Sequence, residues 1–220
     1  LQAQQARGDA EKLVGFLIED FYEELEPTGR LETLGKLSNQ AVKYFDGLPP
    51  ELVTPQTQVY RGMALIREGG ALLAGDEIEE GSRRLKDARQ LFETMHAGGD
   101  TSEPVTIGLA LSLFTPYLAW GPLGGPESKS TDLPQAIDLL RPLVSRPEGS
   151  RQAKLMYGDI LNHLSHAQPK EQGIASCEEG RRVLASLGAK TLEDLTAASI
   201  YADTADSQAR HALVLGRDAD

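Results

Sequence analysis

Glycine and proline cut this chain at intervals that suit helices. Breaks fall at Pro27-Thr28-Gly29, at Gly47 with Pro49-Pro50, at Gly75-Asp76, at Gly98-Gly99, between Gly121 and Asp132, at Gly188 and at Gly216. The stretches between them exceed the roughly 5 to 6 residues of an ordinary strand, and their apolar residues recur at three- and four-residue steps. The first helix runs to about Glu26 on a stripe of Leu13, Phe16, Leu17, Phe21 and Leu25; the second carries Leu31, Leu34, Leu37, Ala41, Val42 and Phe45. The third opens with Thr54-Pro55, a capping hydroxyl followed by proline at the first helical position, and runs to about Ala74. The fourth repeats Ile78, Leu85, Ala88, Leu91, Phe92 and Met95, and the fifth follows Thr101-Ser102 to Trp120 with a kink expected at Pro116. Three more cover about Leu133 to Val144, Ser150 to Ser165 and Lys170 to Leu187, and Thr191-Leu-Glu-Asp194 reads as a capping box for a last helix ending near Leu215.

About nine helices and no strands follow, so the fold class is all-α. Composition agrees: aromatic residues are only 5%, while Ala, Leu, Glu, Gln and Arg dominate. Alternate helices start at about 9, 55, 103, 150 and 191, a spacing of about 46, 48, 47 and 41 residues. A recurring two-helix unit cannot bury its apolar face alone. Antiparallel pairs are therefore expected to stack into a right-handed helical-repeat solenoid, one domain over residues 1–220, with a concave face.

Within these units Gly81, Leu85 and Ala88 follow Gly75-Asp76, and Ala136, Leu140 and Leu143 repeat the pattern of a small residue followed by larger ones four and seven positions on. This spacing resembles that of tetratricopeptide repeats, where the small residue lets the paired helix approach closely. The stretch Ala10 to Leu52 resembles the segment that opens the tetratricopeptide region of bacterial multidomain signalling proteins, behind kinase, cyclase or effector domains and often beyond a membrane helix. The ending LVLGRDAD is similar to the first helix of a repeat without its second, so an excised piece of a longer polypeptide is expected, placed in the cytoplasm or outside it beside a membrane anchor. The spacing here exceeds the roughly 34 residues of the standard repeat and approaches that of HEAT and armadillo units.

Several function classes fall away on charge and composition. Net charge is −11 and no third of the chain is net positive, which disfavours nucleic acid as a partner. The longest uncharged run, from Val105 to the residue before Glu127, is broken by Pro116, Pro122 and four glycines, so no membrane-inserted segment is expected. Cys177 is the single cysteine and reads as a small core residue. Gly69-Gly70, Gly98-Gly99 and Gly124-Gly125 follow no strand and precede no Gly-Lys-Ser/Thr sequence; they read as packing or turn glycines. No ordered nucleophile, base and acid set is present, so a non-enzyme without a cofactor is expected.

Four groups remain as candidates. Asp159, His163 and His166, at i, i+4 and i+7 on one helix, could offer a carboxylate and two imidazoles to a metal ion, giving a metal sensor or enzyme. Glu19, Asp20, Glu23, Glu24 and Glu26 form an acidic face, and Arg83, Arg84, Lys86 and Arg89 form a basic cluster with Glu79 and Glu80 at pairing distance. The first helices of each pair line the groove in tetratricopeptide solenoids; the resemblance nominates Arg61, Arg67, Tyr117, Trp120, Lys154, Asn162 and His163 as partner-binding residues. The expected function is a scaffold that holds a peptide or a partner domain, including a domain of the same polypeptide. A spacer or dimerisation stalk beside a membrane is the alternative of another kind, which the resemblance and a first helix without a clear cap suggest. In the last helix Leu195, Ala198, Ala202, Ala205, Ala209, Ala212 and Leu213 lie at three- and four-residue steps, and the strip near Leu213 and Leu215 is expected to be exposed or covered by a second copy.

Overall fold

The computed structural model describes residues 2–18, 31–121, 124–125, 128–146 and 148–216. Among them are nine α-helices and no strand: α1 Gln2–Ile18, α2 Leu31–Asp46, α3 Pro55–Ala74, α4 Ile78–Ala97, α5 Glu103–Trp120, α6 Asp132–Val144, α7 Arg151–Ala167, α8 Lys170–Ala185 and α9 Leu195–Val214. Short 3-10 turns occupy Pro50–Leu52 and Ala189–Thr191. The chain divides into two compact units, Leu1–Ala119 and Trp120–Asp220.

Local chemistry explains the helix ends. At α3, the Thr54 hydroxyl accepts from the Thr57 amide at 3.1 Å while the Thr57 hydroxyl accepts from the Thr54 amide at 2.8 Å, closing a reciprocal cap ahead of Pro55. Its far end closes when Glu77 N–H donates to Leu72 O and Asp76 N–H to Leu73 O, with Asp76 in the left-handed region at φ 63°. Glycine is the usual occupant there, because it pays no Cβ penalty. The start of α9 differs from the sequence expectation. Asp194, not Thr191, is the cap: its carboxylate accepts from the Ala197 amide at 3.0 Å, while Thr191 closes the preceding 3-10 turn on Gly188 O.

In the first unit the helices pack through glycine. Gly35 of α2 lies against Ala71 of α3, and the Phe45 ring lies 6.2 Å from that of Tyr60, so α2 and α3 run antiparallel. In α3 and α4, Gly62 lies against Phe92 and Gly69 against Leu85 and Gly81, again antiparallel. A Cβ on Gly81 would sit 2.8 Å from the Leu73 side chain and 3.0 Å from Gly69 O, so the backbones meet as the small-residue spacing predicted. Phe92 is fully buried, flanked by Gly62 of α3 and Gly108 of α5. Helix α5 is buried around its whole circumference from Val105 to Thr115, as a helix apolar on all sides must be. Its polar residues bond inward: Ser112 donates to Leu109 O and Thr115 to Leu111 O. The helix continues through Pro116 to Trp120.

The second unit repeats the device. Gly158 of α7 lies against Leu184 of α8, a Cβ on Gly180 would sit 3.3 Å from Gly158 O, and Gly173 lies against Ser165 O, so α7 and α8 are antiparallel. Gly173 and His211 meet at one end of α8 and α9 while Arg181 bonds Tyr201 nearer the other, an antiparallel pair as well. Ala136, Leu140 and Leu143 are all buried, and Cys177 is a buried core thiol whose pKa burial raises.

Two apolar stripes differ from the sequence reading. On α1, Leu13 and Phe16 are exposed, whereas Gly15 and Ile18 are buried, because Gly15 lets the Tyr60 ring lie directly on the helix. On α9, of the apolar positions at three- and four-residue steps, Leu195, Ala198, Ala202, Ala205, Ala209, Ala212 and Leu213, only Ala212 is buried. Ala197, Thr204, Ser207, His211 and Ala212 are buried, while Leu195 is 72% exposed. Leu213 is 77% exposed, as anticipated, and Leu215 is half-buried. Phe21, Leu25 and the acidic face of Glu19, Asp20, Glu23, Glu24 and Glu26 lie outside the described residues.

Candidate functional site

Two clefts of opposite charge stand out, one in each unit. The first, about 540 Å³, lies between α2 and α3 and reaches the α3–α4 turn. Glu32, Lys36, Asn39, Gln40, Glu68 and Glu77 supply its polar lining, and Gly35, Ala71, Leu72, Ala74 and Gly75 its apolar part. The volume lies inside the range of about 300 to 1,000 Å³ seen for ligand pockets.

Glu68 is its most informative residue. A carboxylate only 4% exposed on the middle of a helix is costly unless held, and here the Asn39 amide donates to Oε1. Arg84 Nε lies 3.1 Å from Oε2 and equally 3.1 Å from Glu80 Oε1, an ion-pair separation in which its N–H is aimed at neither oxygen. Lys36 and Glu32, one turn apart on α2, pair at 2.6 Å, both largely in solvent, so that ion pair contributes little. Glu77 adds a further carboxylate beside the C-terminal end of α3, whose dipole is negative. The cleft is therefore anionic.

The second cleft, about 270 Å³, lies in the second unit and is lined by Glu178, Arg181, Arg182, Ala185, Lys190 and Tyr201. Arg181 donates to Gln208 Oε1 at 2.6 Å and to the Tyr201 hydroxyl at 2.9 Å, and its guanidinium carbon lies 4.8 Å from the Tyr201 ring centroid. Lys190 lies 6.0 Å from the same centroid.

The residues nominated from sequence take varied positions. In the first unit Arg61 donates to Asp46 at 2.6 Å, Arg67 is half-buried and Tyr117 is buried. In the second, Trp120 is half-buried against Gly125, Lys154 is buried, and Asn162 is half-buried with an Oδ1 that has no hydrogen-bond partner. None of the seven lines either cleft. The basic cluster of α4 is largely matched by carboxylates: Arg83 pairs with Glu80 and Asp87, Arg84 with Glu68 and Glu80, and Arg89 with Glu93.

Asp159, His163 and His166 part company. Asp159 Oδ1 lies 3.4 Å from His163 Nδ1; burial alone would lower the His163 pKa, but hydrogen bonding and the charge of Asp159 outweigh it and raise it. His166 instead places Nε2 3.2 Å from the Ser207 hydroxyl of α9, with its ring 5.7 Å from that of His211. His211 Nε2 lies 3.2 Å from Ser165 Oγ, and Ser165 donates its proton to Asn162 O, so the imidazole nitrogen is the donor and neutral His211 is the Nε2–H tautomer. Among the described residues no three His, Cys, Asp or Glu side chains converge as a metal-ligand set. No helix among them is long and apolar enough to cross a membrane.

No family model, curated protein or solved structure matches this chain. Its two clefts must be read from their own chemistry. Sequence reasoning missed both, because each joins residues from different helices: Glu32 to Glu77 in one, Glu178 to Tyr201 in the other. The one sequence signal for the first cleft was a glutamate, Glu68, between Arg67 and Gly69 on an otherwise apolar helix.

Proposed function

We propose that this protein is a non-enzymatic scaffold, a tetratricopeptide-like solenoid of antiparallel helix pairs, that holds a segment of another protein or of its own parent polypeptide. The observation that carries the binding reading is the anionic cleft between α2 and α3, with Glu68 buried in its lining and Glu32 and Glu77 exposed around it. Such a site favours a partner that inserts a lysine or arginine. The aliphatic stem of that side chain lies along Ala71, Leu72 and Ala74 while its charge meets carboxylates and the negative end of α3. The close approach of Gly69 and Gly81, with Leu85 and Ala88 buried beside them, supports the repeat assignment.

The test is a peptide array of lysine- and arginine-bearing segments, followed by amide chemical-shift mapping with the best binder. Perturbations should centre on Gly35, Asn39 and Gly75, and binding should fall in the surface variant Glu32→Lys, Glu77→Lys. A binder that ignores this double charge reversal, or shifts confined to other helices, would refute the assignment.

A further inference from the structure

Arginine in this acidic protein is repeatedly matched by carboxylate. Arg61 pairs with Asp46, Arg141 with Glu179, Arg151 with Asp194 and Arg210 with Asp206. The cleft between α8 and α9 breaks that pattern. Among the described residues no carboxylate lies at ion-pair distance from Arg181, Arg182 or Lys190, although all three line the same 270 Å³ space. Arg181 spends its terminal nitrogens on neutral acceptors, Gln208 and Tyr201, and its Nε is buried with no acceptor at all. Glu178 is the only acid in the lining, and it takes a weak 3.4 Å bond from Gln208 Nε2. The lining thus carries three cations against one anion.

Gathering like charges costs free energy unless something neutralises them, and the lining answers its three cations with one carboxylate, Glu178. The Tyr201 ring softens the cost through its contacts with Arg181 and Lys190, but a ring adds no negative charge. The turn presenting Lys190 is itself held under strain. It is bracketed by two residues in the left-handed region, Gly188 at φ 79° and Leu192 at φ 60°, the second an exposed leucine for which that conformation is unfavourable. A net excess of two positive charges in a space too small for a large organic ligand matches a compact dianion, and a phosphate monoester carries about −1.5 to −2 at neutral pH. A carboxylate would leave one cation unanswered.

We propose that the cleft formed by Arg181, Arg182, Lys190 and Tyr201 is a binding site for a phosphoryl group, either free phosphate or the phosphate of a small organic ester. Arg182 and Lys190, both exposed, meet the phosphoryl oxygens, and Tyr201, steadied by Arg181, forms the wall beside them. This site is separate from the anionic cleft of the first unit and does not depend on a peptide binding there.

The test uses the whole chain at constant ionic strength, titrated with inorganic phosphate, phenyl phosphate and acetate, while amide signals of Gly188 and Lys190 and the side-chain Nε–H of Arg181 are followed by NMR. Both phosphates should give saturable shifts at these positions, and acetate should not. The dissociation constant should rise about tenfold or more in Arg182→Gln, Lys190→Gln, as loss of charge-assisted hydrogen bonds implies. It should stay unchanged in Arg61→Gln, which removes one cation from the other unit. Tighter binding of phenyl phosphate assigns the site to an organic ester stacking on Tyr201; equal binding assigns it to free phosphate. Since Arg182 and Lys190 are exposed, the double variant should keep the parent melting temperature. Linear unsaturating shifts, equal response to acetate, or unchanged affinity in a folded double variant would each overturn the proposal.

Discussion

Gly69 and Gly70 are neighbours on α3, and the structure assigns the same substitution opposite signs at the two positions. Alanine in place of glycine inside a helix gains about 1 kcal/mol of backbone propensity, all else equal. At Gly70 nothing opposes that gain: a Cβ would find Thr115 Cγ2 at 3.6 Å, an ordinary van der Waals contact. At Gly69 a Cβ would come within 2.9 Å of Leu85 and 3.1 Å of Gly81 O. The leucine can shift, but the carbonyl belongs to the α4 backbone, so the two helices must part. Overpacking of this kind costs about 1 to 3 kcal/mol and leaves buried Leu73, Leu85 and Phe92 less well packed. Gly70→Ala should therefore stabilise the first unit by about 0.5 to 1 kcal/mol, and Gly69→Ala should destabilise it by up to about 2 kcal/mol after the propensity gain is deducted. Urea unfolding followed by circular dichroism measures both, with the slope checked for constancy. If Gly69→Ala raises the midpoint as Gly70→Ala does, the close helix approach at Gly81 is wrong.

Two further outcomes follow in the second unit. Asp194 caps α9 and also takes two bonds from Arg151, at 2.6 and 3.0 Å, so Asp194→Ala should cost about 1 to 2 kcal/mol, mainly through the lost cap, whereas Arg151→Ala should cost less because that side chain is half in solvent; thermal melts of the two variants compare them directly. His211 is 2% exposed; burial, then Lys170 and His166, lower its pKa, and burial, then His163, Lys170 and Arg210, lower that of His166. The unfolded chain then takes up protons that the folded one refuses, so stability should fall as pH drops below about 6.5 towards the lowered values. His163, raised by Asp159, acts in the other direction: its contribution is complete below the ordinary value and is lost as pH rises through the raised one. Urea midpoints between pH 7.5 and 5.5 (roughly the interval in which histidine titrates) should decline in the parent and decline less in His211→Gln; an identical decline in both would refute the assignment.

Helices were legible because their causes are local. Thr54-Pro55, Gly75-Asp76, Gly98-Gly99 and Gly188 punctuate α3, α4 and α8 through capping geometry and backbone freedom, which act within a few residues. The Gly81, Leu85, Ala88 spacing also foretold a close approach, because a missing Cβ has only one structural use on a buried helix face. The buried face was legible on α2, where Leu34, Ala41, Val42 and Phe45 are buried, and on α4, where Leu85, Ala88 and Phe92 are, but not on α1 or α9. On α1 the glycine at 15 is buried beneath Tyr60 while Leu13 and Phe16 remain in solvent; on α9 Thr204, Ser207 and His211 are buried while Leu195 and Leu213 are not. Apolarity pointed to the wrong stripes because burial depends on what the facing helix offers: here a ring that needs room, and on α7 a histidine and a serine that satisfy polar side chains. Glu80 sits at a readable spacing from Arg83 and Arg84, but Glu68 reaches Arg84 only because α3 and α4 are antiparallel. The same holds for both clefts, whose charges are set by residues up to a whole helix pair apart in sequence. Local pattern therefore determined which segments are helical and, the start of α9 apart, where most of the described helices begin and end, and tertiary packing alone decided which charges were neutralised and which were left facing an open space.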